Sequence, residues 1–415
     1  MEYEAGSRFA FDEHHEEVAK ICVVGVGGGG GNAVNNMIRE ELQNVDFVVI
    51  NTDSQALADT LAPHRIQAGH QLTKGLGTGA RPKVGAAAMQ ESAEEVTAML
   101  HGFDMCFITA GMGGGTGTGG VPVVAEIAKK MGILVVAIVT KPFDCEGNKR
   151  MDMAMEGIER LQEHIDTLIV IPNERLLDIA DDDTTLLEAF RRADTVLYDA
   201  TRGIADLITC TGRINLDFAD VRTTMQDGGT ALMGTGTARD GENRAEQAAI
   251  EAISSPLMDG MSISGARNVL VNITAGRGLR IKDATTATNL IRKEAGEGVE
   301  VIFGTVIDNN LDNDSFKVTV IATGFGQTNT MEGKRAVKLN EPYFDYKGEH
   351  SLKVLDIPAY ERRGPVERRT PKPGEEGSTA DPVEVRQLNL SARDEVRRVR
   401  RESTDQPAFL RKMMD

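Results

Sequence analysis

Two runs of glycine limit the folds open to this chain more than any other feature. The first, Gly25-Val26-Gly27-Gly28-Gly29-Gly30-Gly31-Asn32, follows the apolar stretch 21–24. The second, Gly111-Met112-Gly113-Gly114-Gly115-Thr116-Gly117-Thr118-Gly119-Gly120, follows the apolar stretch 105–109. Each run leads into residues with helical spacing. A strand, a bare glycine turn and a helix in succession let backbone N–H groups and the positive end of a helix approach a di- or triphosphate with no Cβ in the way. Glycine makes up 44 of 415 residues, and there is no Gly-X-Y period, so the excess belongs to turns of this kind.

The surrounding pattern alternates strands and helices. Further strands are expected at 46–50, 134–139 and 167–171, with helices at 32–41, 85–100 and 151–163. That alternation predicts a doubly wound, Rossmann-like α/β domain, a parallel sheet covered on both faces, over residues 20–183. In the segment 184–210, Leu186, Phe190, Ala193, Leu197, Ala200, Ile204 and Leu207 recur at spacings of three and four. Thr184 or Thr185 is placed to cap a helix of roughly 40 Å, with Glu188 completing a capping box. This helix reads as a spine leading to a smaller α/β domain at 211–326. That domain opens on a loop (211–220) and a helix, with strands at 268–274, 299–306 and 315–323 and helices at 244–253 and 284–294. Residues 1–19 read as a flexible arm and 327–415 as a flexible tail rich in Pro, Glu, Arg, Ser and Thr.

Charge removes some functions. With 63 acidic against 46 basic side chains and a formal charge of −17, the chain lacks the basic footprint of a general nucleic-acid binder. Its apolar runs fall far short of the roughly 20 residues of a membrane span, and Met1-Glu2-Tyr3-Glu4 is not a targeting leader, so a cytoplasmic protein is expected. The four cysteines show no CxxC or Cys/His metal spacing, which predicts buried free thiols and no dedicated metal cage.

The first glycine run satisfies GxGxxG. Alone it would suit a nicotinamide-dependent oxidoreductase, with Asp53 as a ribose acid. The second run shifts the reading to a site built from two glycine loops at one sheet edge, where Thr116 and Thr118 add hydroxyl donors. A third loop, Gly75-Leu76-Gly77-Thr78-Gly79-Ala80-Arg81-Pro82, offers more amides, and GxxxxGK[ST] is absent, so this is no Walker-type site.

In these motifs the chain resembles FtsZ, the tubulin-like cell-division GTPase family, in its archaeal form, over roughly residues 20–326. The resemblance implies GTP/GDP as the nucleotide and Mg²⁺ as its companion ion. It assigns nucleotide contacts to Gly27, Gly28, Gly29, Gly30, Gly31 and Asn32 of the first phosphate loop, to Asn51, Thr52 and Asp53, to Ala80, and to the signature Gly113, Gly114, Gly115, Thr116, Gly117, Thr118 and Gly119. In the sugar loop, residues 141–150, Glu146 and Arg150 would meet ribose or a neighbouring phosphate. Asn173 and Asp194 would read the guanine edge, and Phe190 would stack on the ring. A carboxylate facing guanine N1 and N2 favours GTP over ATP, because adenine offers no such donor pair.

The catalytic loop of the resemblance is Asn215-Leu216-Asp217-Phe218-Ala219-Asp220. Asp217 and Asp220, three residues apart at a helix start, can project to one side and polarise a water. They lie beyond the far end of the long helix, so hydrolysis would need a second copy stacked head to tail, an interface that extends into a filament. The expected product is a division ring at the division site. Its membrane-tethering adaptor would dock on the tail peptides Pro358-Ala359-Tyr360-Glu361-Arg362-Arg363 or Pro407-Ala408-Phe409-Leu410-Arg411-Lys412, and there is room for a paralogous copolymer. A tubulin-family filament for cell shape is the alternative. Arg81 and Lys83 depart from the Asn and Glu of many relatives, and Gln406 from an apolar residue.

Overall fold

Ile21, Cys22, Val23, Val24 and Val26 are all buried, which a strand achieves only when both faces of its sheet are covered. The computed structural model describes residues 19–325 apart from 179–182, 211–215, 240, 242, 259 and 310. The arm up to residue 18, the tail with both Pro-Ala peptides, and Asn215 lie outside the described residues.

The strands are β1 (Ile21–Val26), β2 (Asp46–Asn51), β3 (His64–Gln67), β4 (Met105–Gly111), β5 (Leu134–Lys141), β6 (Thr167–Pro172), β7 (Gly229–Arg239), β8 (Asn268–Ala275), β9 (Glu300–Ile307) and β10 (Ser315–Thr323). The helices are α1 (Gly27–Arg39), α2 (Ser54–Ala58), α3 (His70–Thr73), α4 (Pro82–Glu91), α5 (Ala93–Leu100), α6 (Thr116–Lys130), α7 (Asn148–Gln162), α8 (Leu186–Thr209), α9 (Phe218–Met225), α10 (Arg244–Ile253) and α11 (Ile281–Ala295). The strand order is β3-β2-β1-β4-β5-β6-β7-β10-β8-β9. From β3 to β7 every pairing is parallel; β10 runs antiparallel to both β7 and β8.

Alternate residues of β1 face two different cores. Ile21 and Val23 pack with Ala33, Val34 and Met37 of α1 and with Leu197 and Ile204 of α8. Cys22, Val24 and Val26 pack with Met89, Val96, Val121 and Val124 of α4, α5 and α6. A third core sits between α10, α11 and strands β8 and β10. The N-terminal part is therefore doubly wound, as its pattern predicts, and α8 crosses to the second part, where Asn272 Nδ2 donates to the Gly203 carbonyl at 3.0 Å. The Thr185–Glu188 capping box opens α8 as expected.

Other local expectations change. α1 starts at Gly27 rather than Asn32, so the glycine run is itself the first helical turn. The helix expected over 85–100 is two, broken at Ser92, whose Oγ accepts from the Gly69 N–H at 3.2 Å. β3 and β7 were not anticipated. The two parts are joined edge to edge as well as by α8, through Thr167–Gly229, Leu168–Thr230 and Ile169–Ala231. The expected loop 211–220 yields to α9 at Phe218, which places Asp220 within a helix. Cys22 and Cys106 are buried, but Cys145 is exposed on a 3₁₀ turn and Cys210 is half-buried, so burial does not hold for all four thiols.

Several glycines are there for contact between helices. A Cβ on Gly119 of α6 would lie 1.9 Å from the Pro82 carbonyl oxygen, and one on Gly85 of α4 would lie 2.3 Å from the Gly115 oxygen. Gly119→Ala is expected to cost about 3 kcal/mol or more, because backbone rather than a mobile side chain must give way. Thermal unfolding of the variant, with a midpoint lowered by several degrees, checks this.

Candidate functional site

Because β1, β2, β4, β5 and β6 run parallel, their C-terminal ends share one edge, and each end leads into predicted site residues. Val26 leads to Gly27, Asn51 to Thr52 and Asp53, Gly111 to the second glycine run, Lys141 to the sugar loop, and Pro172 to Asn173. Between β1 and β4 the order reverses, with α1 on one face and α6 on the other. Such a switch point opens a crevice where ligands of doubly wound sheets bind.

Three helices begin at this crevice, α1, α4 and α6. None has a side-chain cap hydrogen bond, and none has an acidic residue in its first turn. Of the other described helices, α2 is capped by Asp53 and α8 by Thr185, α5, α9, α10 and α11 carry an acid in the first turn, and α3 and α7 have neither. The unsatisfied N–H groups and positive ends of α1, α4 and α6 form a receptor for a polyanion. Gly28 and Gly114 have open space where a Cβ would stand, so a ligand can close on bare backbone there. Gly27 and Gly113 hold left-handed φ values of 73° and 92° that turn the chain into the cradle. Gly75, Gly77, Gly79 and Ala80 continue the left-handed backbone in the third loop, and Ala80 at φ 54° does so against its own Cβ.

Hydroxyls tie the loops together. Thr116 and Thr52 share a hydrogen bond of 2.6 Å, and Thr78 and Thr116 one of 3.5 Å. The Thr78 hydroxyl is a part of the site that the glycine pattern of the third loop does not reveal, since only its place between Gly77 and Gly79 marks it. Thr118, expected as a phosphate donor, is fully buried, and its Oγ1 accepts from the Gly113 N–H at 2.8 Å, so it closes the loop from behind. Gly30, Gly31, Gly117 and Gly119 are also buried and serve packing; a Cβ on Gly30 would lie 2.4 Å from the Thr109 oxygen. Asn51 accepts from the Asp53 N–H, and Asp53 Oδ1 accepts from the Gln55 and Ala56 N–H groups, so the Asp53 carboxylate is used as a cap rather than free for a ribose.

Beside the cradle a cleft of about 140 Å³ gathers Gly29, Asn32, Glu146, Arg150, Asn173, Phe190 and Asp194, the predicted residues for sugar and base. Glu146 Oε2 pairs with Arg150 Nε at 3.1 Å, and Glu146 Oε1 accepts from the Phe143 N–H at 2.9 Å. Phe143 meets Phe190 edge to face at 5.2 Å, which steadies the Phe190 ring. Asn173 Oδ1 is buried without a hydrogen-bond partner among the described residues. Asp194, half-buried on α8, has its carboxyl pushed up to about 6 by burial, with Arg39 opposing the rise. A lone acceptor and a desolvated carboxyl at the wall of one cleft suit a flat ring that carries adjacent N–H donors. The larger cleft lined by Tyr198, Arg202, Asp206 and Asp308 also holds a carboxyl raised by burial, Asp206, but there Arg202 pairs with it at 2.9 Å.

Asp217 and Asp220 are not in this cleft. Asp217 occupies the N-cap position of α9 without a side-chain cap bond, Asp220 follows in the first turn, and both are exposed. α9 sits at the opposite edge of the sheet. Arg222 Nη2 donates to the Asp104 carbonyl at 3.4 Å, and Thr167 Oγ1 donates to the Met225 carbonyl, both at strand N-termini. The seven residues of β4 alone separate Asp104 from the second glycine run by about 23 Å. The 24 residues of α8, about 36 Å, separate Phe190's end from α9.

Among the described residues no helix is long and apolar enough to cross a membrane. The description "Tubulin/FtsZ family, GTPase domain" fits residues 20–181, and "FtsZ family, C-terminal domain" fits residues 229–326. An FtsZ dimer from M. jannaschii is 46% identical, with 74% of this chain and 88% of that chain covered and a TM-score of 0.71. CetZ1 from Haloferax volcanii, a GDP-bound monomer, is 22% identical, covers 75% of this chain and 95% of its own, and gives a TM-score of 0.64. CetZ2 from the same organism, in a GTPγS-bound protofilament, is 23% identical, with 75% and 94% covered and a TM-score of 0.63. At those identities the CetZ likeness is one of fold. With the nucleotide edge, both family domains and the 46% relative in agreement, the chain belongs to the tubulin/FtsZ family and is a cytoskeletal GTPase of it.

Proposed function

We propose that this GTPase polymerises head to tail into the filaments of a cell-division ring, and that Asp217 and Asp220 of one copy complete the nucleotide site of the next. The observation that carries the reading is the separation just described: a polyanion cradle at one edge of the sheet and two unengaged carboxylates at the other. Within one molecule they are too far apart to act on one bond, whereas translation along the strand direction superposes them. Division is favoured over cell shape by the FtsZ-type C-terminal domain and by the 46% identity to FtsZ against 22% and 23% to the CetZ proteins. The tail peptides would recruit a membrane-tethering adaptor, and a paralogue with the same edges would copolymerise.

In this scheme the amides of α1, α4 and α6 take the phosphates, and Asn173 and Asp194 take the guanine edge. The oxygens of Thr52, Thr78 and Thr116, clustered where the loops meet, fit a hard and largely hydrated ion, so Mg²⁺ would be held there with phosphate oxygens and would offset their charge. The incoming Asp217 and Asp220 orient the attacking water. The test is phosphate release and light scattering against protein concentration with GTP and Mg²⁺. Both are expected to rise together above a threshold; equal turnover per molecule in dilute and concentrated samples would refute the shared site.

Asp194 adds a pH signature. Its raised pKa means the free fold keeps its share of stability below about 3.8 and loses it as pH rises through about 6. Guanine needs the ionised form, so binding below about pH 6 must expel a proton. GTP affinity is expected to fall by up to roughly tenfold per pH unit below that point, with about half a proton released per nucleotide at pH 6. Calorimetry in two buffers of different ionisation enthalpy measures the proton count; none released at pH 6 would remove Asp194 from base recognition.

A further inference from the structure

We propose that Arg81 is a direct contact to the terminal phosphate of the triphosphate, and so sets how strongly this chain prefers GTP to GDP. The inference rests on the nucleotide site proposed above and adds a residue and a discrimination to it.

The site has a direction. Gly29, Gly111 and Met112 border the base cleft. The second glycine run then leads away from the base to Thr116, whose hydroxyl meets Thr78 of the third loop. A Cβ on Gly115 would lie 2.0 Å from Thr78 Oγ1 and 2.8 Å from the Arg81 backbone nitrogen, so these loops touch. A polyphosphate laid from the base cleft along this path ends at the N-terminus of α4, where Arg81 is the N-cap residue.

The charge there lacks a counterweight. Arg81 and Lys83 flank the first residue of α4, Pro82, and the helix's own positive end points the same way. No acid stands in that first turn, in a chain with 63 acidic side chains to 46 basic ones. Arg81 Nε donates to the Thr78 carbonyl at 3.2 Å, which anchors the guanidinium beside the hydroxyl cluster. Its two terminal nitrogens have no partner among the described residues. Two cations on an uncapped helix end repel each other until an anion arrives, and a guanidinium with free donors matches phosphate oxygens in geometry. A diphosphate, one phosphate shorter on this path, leaves those donors unused.

The test uses the full chain below its assembly threshold. Dissociation constants for GDP and for the slowly hydrolysed GTPγS are measured by calorimetry at low and moderate KCl for wild type, Arg81→Gln and Arg81→Lys. In Arg81→Gln the preference for GTPγS over GDP is expected to shrink roughly tenfold to a hundredfold, with GDP affinity within about twofold of wild type. Arg81→Lys should recover part of the preference, and the salt dependence of GTPγS binding should fall in the Gln variant alone. Equal losses for both nucleotides, or an unchanged ratio, would overturn the proposal. So would an unchanged ratio with a raised assembly threshold, which would assign Arg81 to the acids of a neighbouring copy. Failure of wild type to bind either guanine nucleotide would instead strike the nucleotide site itself.

Discussion

Replacing Asp217 with alanine is expected to lower steady-state phosphate release by at least about a hundredfold while GTP binding and filament formation continue. The carboxylate is exposed and makes no cap bond to α9, so its removal breaks no interaction that holds the fold. It is also remote from the cradle of its own chain, so nucleotide affinity should not change. The shared site makes a stronger demand. Gly28→Val places a side chain in the open part of the cradle, where nothing in the protein lies within 4 Å, and should block phosphate without disturbing the core. Such copies keep Asp217 and lose GTP, whereas Asp217→Ala copies keep GTP and lose the acid. Mixed, they should release phosphate well beyond the sum of the two alone. A mixture that pellets together yet shows no gain would defeat the scheme, as would normal hydrolysis by Asp217→Ala.

The second large effect is expected at the base. Asp194→Asn should weaken GTP binding by about a hundredfold or more, since two hydrogen bonds to a charged acceptor are lost and an amide N–H is turned toward guanine donors. Xanthine carries a carbonyl where guanine has its amine, so the same variant should gain affinity for XTP and lose the proton release at pH 6. Competition binding with both nucleotides reads the exchange. Loss of both affinities together, with the fold intact by circular dichroism, would show that Asp194 does not face the base edge.

The parts of the fold that were legible from sequence are those where local chemistry and burial agree. The apolar run of β1, the capping box of Thr185 and Glu188, and the three- and four-residue spacing of α8 all state their structure directly. β7 did not, because its glycines oppose strand propensity for a reason found only in three dimensions. A Cβ on Gly234 would lie 2.0 Å from the Ala252 oxygen, and one on Gly236 would lie 2.1 Å from the Ala248 oxygen, so α10 packs on bare strand. The glycine loops pointed to phosphate binding as an expectation, yet which glycines are open and which face a helix depends on the packing of α4 against α6. Asp194 has no distinguishing local pattern; within the period of α8 it is one polar residue among several, and only the fold sets it beside Asn173. Thr118 misled because a hydroxyl in a glycine run reads the same whether it points out or in.

The contact between α4 and α6 has one more consequence. With the oxygen of Pro82 seated on Gly119 and that of Gly115 on Gly85, neither helix can slide along the other without driving main chain into main chain. The receptor for the phosphates is thus a stiff clamp rather than a pair of jaws, and departure of a phosphate cannot be registered as a change in their spacing. If the site holds phosphate as proposed, the strain of its departure falls on the left-handed turns at Gly75, Gly77, Gly79 and Ala80 and on the seam of the proposed filament.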